Sequence, residues 1–84
     1  TRSAAAAALR ADRVVARLRA VPGNVLVFSS AHILRVLAAR WLGLAPDAAR
    51  CFVLGTTSLS ELGYEHGPDE PVIRSWNQPA GAPE

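Results

Sequence analysis

The segment Phe28-Ser29-Ser30-Ala31-His32 stands where an apolar run gives way to a helical pattern. Open α/β sheets bind ligands at the carboxyl ends of their strands. The first turn of a helix also presents free N–H groups and a partial positive charge, which suit a phosphate. Ser29 and Ser30 would add hydroxyl hydrogen bonds. Serine is equally an ordinary helix N-cap, so the same residues can serve a purely structural end. The remaining reactive side chains are scattered. Cys51 precedes an apolar run and reads as a small buried hydrophobe. His66, beside Gly67-Pro68, reads as a solvated turn residue, and Arg35 either lends charge near the Ser29–His32 turn or is one partner of a structural salt link. A single cysteine and two histidines make no metal-ligand spacing, so neither a metal nor a cofactor is expected.

The elements around this segment follow from periodicity. Thr1–Ala20 predicts a helix, with Ser3 as cap and an alanine run behind it. Ala11, Val14, Val15 and Leu18 form its apolar stripe, and Arg10, Arg13 and Arg17 share another face. Pro22-Gly23 ends it. Asn24–Ser29 predicts a strand whose core, Val25–Phe28, is apolar without alternation, as in strands covered on both faces. His32–Leu42 predicts a second helix, stopped by Gly43. A helical turn over Asp47–Arg50 follows, then strands over Thr57–Glu65 and Val72–Trp76, joined through His66-Gly67-Pro68-Asp69 as an antiparallel hairpin. Trp41 and Trp76 read as packing residues. From Gln78 the small, Pro-rich residues suggest a disordered tail over 78–84.

Composition narrows the class. The chain has 84 residues, half of them hydrophobic and 19% charged, which excludes a solvated disordered chain and allows one domain or part of one. No apolar run approaches the roughly 20 residues that span a bilayer, and no export leader is visible, so a cytoplasmic protein with no membrane partner is expected. All nine basic residues are arginine, sixteen residues are alanine and methionine is absent. With Thr1 at the start, this suggests a processed or excised piece of a longer protein. Residues 1–50 carry eight arginines against two aspartates, a balance of +6; residues 51–84 carry one arginine against five acids, a balance of −4. A basic half can bind nucleic acid, but no reading motif, aromatic platform or lysine supports it, and nucleic acid is not expected as a partner.

The run Val25-Leu26-Val27-Phe28-Ser29-Ser30-Ala31-His32-Ile33-Leu34-Arg35 through Leu44 resembles the C-terminal segment of histidine phosphatases, the phosphoglycerate-mutase-like superfamily. Asp12–Leu18 upstream, and Thr57–Ser60, Leu62–Glu65 and Pro71–Asn77 downstream, continue the likeness, which covers residues 1–77. The resemblance implies an α/β fold: part of a three-layer phosphoglycerate-mutase-like domain, helix–strand–helix plus a C-terminal antiparallel hairpin. It also implies metal-independent hydrolysis of a phosphorylated small molecule through a phosphohistidine. The family's nucleophilic histidine lies in an Arg-His-Gly motif that these residues lack. A second family histidine lies five residues before a Leu-Arg landmark; here that position is Ser30, followed by Ala31 in place of glycine. His32 matches a further histidine found in some members. Thr1-Arg2-Ser3 aligns with a Gly-Glu-Ser stretch, so an acid has become Arg2. By resemblance Ser29, Ser30, Ala31 and His32 would touch a phosphoryl group, with no catalytic residue intact. The chain is therefore expected to be inactive alone as a C-terminal fragment, or to be a pseudophosphatase that binds phosphate compounds or a protein. A lone fragment would self-associate through the open edge of its first strand.

Overall fold

A computed structural model describes the backbone of residues 3–79 and the side chains of residues 5–79. Thr1, Arg2, the proposed cap at the Ser3 side chain and residues 80–84 lie outside the described residues. The elements run α1 (Ser3–Ala20), α2 (Ala31–Trp41), a 3₁₀ helix (Pro46–Cys51), β1 (Ser58–Tyr64) and β2 (Pro71–Pro79). Helices and an antiparallel hairpin make this an α/β arrangement.

The two helices meet along a seam of small residues. Ala7, Ala11, Val36 and Leu37 form the buried cluster, with Val15, Leu34 and Ala49 packed against it. Ala38 and Ala39 are wholly buried. The stripe on α1 thus begins a turn earlier than the aliphatic residues alone suggest, at Ala7, while Val14 faces outward at 37% exposure. The α1 arginines at 10, 13 and 17 are exposed. A bidentate ion pair pins the seam. Arg40 Nε and Nη2 donate to the two carboxylate oxygens of Asp12 at 2.7 and 3.0 Å, and Nη1 donates to the Leu44 carbonyl at 3.1 Å. The hydrogen bonds from Arg40 hold the Asp12 carboxyl below the usual carboxylate range, overcoming the opposing effect of burial, and the charge of Arg40 adds to them.

Gly43 ends α2 as its position predicts, with φ +79°. Its N–H donates to the Arg40 carbonyl at 3.1 Å and that of Leu44 donates to Ala39 at 2.8 Å, the Schellman arrangement that satisfies the last helical carbonyls.

The strand expected over Asn24–Ser29 does not form. Residues 21–30 are exposed throughout, with Leu26 at 68% and Phe28 at 84%. Among the described residues no backbone group of 22–29 is hydrogen-bonded. The physical reason is pairing: an apolar sequence becomes a strand only beside another strand, and the only sheet among the described residues is the hairpin.

In that hairpin, Tyr64 pairs with Pro71 and Ser58 with Pro79, with irregular register on either side of Glu61. Side chains alternate along β1: Ser58, Ser60, Leu62 and Tyr64 form its half-buried side, while Leu59 and Glu61 face solvent. β2 runs on through Gln78 and Pro79, past the point where the sequence suggests a tail. The turn is made with positive φ at His66 and Gly67. His66 is exposed and lies 2.7 Å from Glu70.

Trp41 joins the layers. It is buried, donates its indole N–H to the Gly63 carbonyl at 3.0 Å, and packs on Tyr64 at 5.2 Å. Arg19 lies 5.6 Å from both rings. Trp76 packs on Phe52 at 5.3 Å and donates to the Val53 carbonyl, and the Asn77 side chain accepts from the Gly55 N–H at 2.8 Å. Both tryptophans are thus packing residues with a satisfied indole, as buried indoles require.

Candidate functional site

The turn Ser29–His32 connects the exposed segment to α2. Ser30 is the N-cap, with extended backbone (φ −75°, ψ 157°), and its hydroxyl oxygen accepts a long hydrogen bond of 3.4 Å from the Ile33 N–H. Its carbonyl accepts from Leu34 at 2.9 Å, the first helical bond. Ser29, Ser30 and His32 are exposed and Ala31 is half-buried. The four residues are contiguous and open to solvent. Ser30 serves as a helix cap; its lone pair is engaged while its O–H proton remains available to a ligand oxygen.

His32 and Arg35 share a face of α2, three residues apart. They open onto a solvent-facing depression of about 360 Å³ whose other walls are Val36, Asp47 and Arg50, with Ala7 from α1. Among the described residues the ion pairs are Asp12–Arg40, His66–Glu70 and a long Arg74–Glu61 contact. The structural salt link expected at Arg35 is therefore made instead by Arg40, whose guanidinium reaches across the seam to α1. The Asp12–Arg40 pair spans 28 residues of sequence, so helical spacing gives no signal for it. Arg50 and Asp47 are likewise absent from the sequence-based site, because a single 3₁₀ turn carries no periodicity to orient them.

Cys51 is exposed at the end of the 3₁₀ helix, which corrects its assignment as a buried hydrophobe. The apolar run behind it packs through Phe52, and the thiol does not. No group of three or more metal-ligating side chains that could hold an ion occurs among the described residues. None of the described helices is long and apolar enough to cross a membrane.

No curated protein and no solved structure matches the chain. The family comparison is positive: the histidine phosphatase superfamily (branch 1) matches over residues 1–79. That span takes in both helices, the Ser29–His32 turn, the depression and the whole hairpin, so the chain belongs to the histidine phosphatase superfamily.

Proposed function

We propose that the chain is the C-terminal part of a histidine phosphatase domain, that its Ser29–His32 turn receives the phosphoryl group of a small phosphomonoester, and that these residues alone do not turn it over. One observation carries this reading: Ser30, at the family histidine position, is the N-cap of α2, with its hydroxyl oxygen turned to the Ile33 N–H. A hydroxyl donates one hydrogen bond and carries no charge, whereas an imidazolium supplies both. Charge stabilisation of a transferring phosphoryl group is worth several kcal/mol. Phosphohistidine formation also needs a nucleophile, and the sequence has only His32 and His66. The chemistry calls for no metal. The uncovered residues 21–30 support a partial domain, because their apolar side chains are at ease only beneath other strands. The lone exposed thiol of Cys51 fits a reducing, cytoplasmic compartment.

The same Ser30 favours a second reading, a pseudophosphatase whose turn binds phosphate compounds without hydrolysis. Two measurements test both. A phosphomonoesterase assay with phosphoenzyme trapping should show no activity above background; burst release of phosphate with a covalent phosphoenzyme would sink the first reading and the second together. Phosphate should bind in the millimolar range, about 4 kcal/mol. Ser30→His with Ala31→Gly should tighten it, more at pH 6 than at pH 8, since an unperturbed imidazole titrates near about 6.5. Undetectable binding in both proteins would return the turn to a plain helix cap.

A further inference from the structure

We propose that the depression between α2 and the 3₁₀ helix is a second anion site, in which Arg35 and Arg50, with His32 at the rim, hold a small dianion of the phosphate type. It shares only His32 with the Ser29–His32 turn and stands whether or not that turn binds phosphate.

Three observations converge. The depression is lined by Arg35, Arg50 and His32 against a single acidic residue, Asp47. Arg35 is half-buried, yet among the described residues its guanidinium has no carboxylate within 4 Å and makes no hydrogen bond. Asp47 and Arg50 are also without an ion-pair partner there. Elsewhere on the same helix Arg40 spends every arm of its fork on Asp12 and Leu44. The contrast separates a structural arginine from one left with free donors. A guanidinium presents a planar fork that matches the oxygens of a phosphate, and two forks from different elements can grip one dianion from two sides. At about 360 Å³ the depression admits an inorganic phosphate or a phosphoryl group with a small substituent. Asp47 on the wall opposes any anion and lowers affinity, while the two arginines favour a dianion over chloride because it gains more from two cations.

The test is an NMR titration of the whole chain with inorganic phosphate at constant ionic strength, with chloride as the competing anion. Saturable shifts are expected at Arg35, Val36, Ala49 and Arg50 as well as His32. Arg35→Gln with Arg50→Gln should raise Kd at least tenfold with unchanged far-UV circular dichroism. Asp47→Asn should lower Kd severalfold, a gain that mere loss of structure cannot produce. Should the double variant unfold, Arg50→Gln and Asp47→Asn alone decide the matter by their opposite signs. The proposal is overturned if shifts stay within residues 29–32 and ignore the arginine variants. It is also overturned if they spread evenly over the exposed arginines of α1, or if Asp47→Asn fails to tighten binding.

Discussion

Replacing Trp41 by phenylalanine probes one of the joints between the helices and the hairpin. Trp41 is 6% exposed. The substitution removes an indole N–H whose partner is the Gly63 carbonyl at 3.0 Å. A lost hydrogen bond of this kind costs about 1 kcal/mol net. The smaller ring sheds contact with Tyr64, at 5.2 Å, and with the Arg19 guanidinium, at 5.6 Å; aromatic and cation–π contacts are each worth roughly 0.5–1.5 kcal/mol. Together the loss is about 2 kcal/mol. For a domain of this size each kcal/mol moves Tm by roughly 4–8 °C, so Tm should fall by about 8–16 °C. Thermal melts followed by far-UV circular dichroism for the helices and Trp76 fluorescence for the hairpin would read it. Because Trp41 ties α2 to β1 by both a hydrogen bond and a ring contact, the two probes should also separate in the variant. A shift under about 2 °C with coincident transitions would show that the hairpin is held some other way, and the account of Trp41 would be wrong.

Three further outcomes follow from the same structure. The Asp12–Arg40 pair holds the Asp12 carboxyl below its unfolded value, so its contribution is complete above about pH 3.9 and is lost as pH falls through the lowered folded value; Asp12→Asn should flatten stability across that acid window and leave it unchanged in slope near pH 7, as followed by urea melts at several pH values. The uncovered Val25–Phe28 should make the chain associate, and Val27→Lys should suppress this; a clean monomer over a wide concentration range in sedimentation would count against it. The exposed Cys51 should react fully with a maleimide in native buffer while the melt stays unchanged, and protection of the thiol would contradict its placement.

Much of this architecture was legible because it is local. The alanine-rich helix, the Gly43 stop and the Gly67-Pro68 turn each follow from a residue's own backbone preferences, and β1 declares its two faces by alternation. What could not be read depends on partners far along the chain. Val25–Phe28 has the composition of a covered strand, but composition does not supply the neighbour. Arg35 and Arg40 are the same residue type on one helix; only the position of Asp12 on α1 decides which of them is tied down. The Ser29–His32 turn was legible as the start of α2, with Ser30 as its cap, whereas Asp47 and Arg50 join the neighbouring depression only through the path of a 3₁₀ turn.

If the chain is part of a longer domain, as proposed, the bare connection between α1 and α2 bears on how a further strand would join it. Among the described residues the backbone of 22–29 is unpaired, yet both ends are anchored by helices that the alanine seam and the Asp12–Arg40 pair hold together. A free peptide joining a sheet gives up roughly 1–2 kcal/mol of backbone entropy per residue. A segment closed at both ends samples fewer chain configurations to begin with. An incoming strand therefore meets a half-organised template and bears most of the ordering cost itself. The helical pair, held by contacts of its own, would act as the frame on which such a strand is strung.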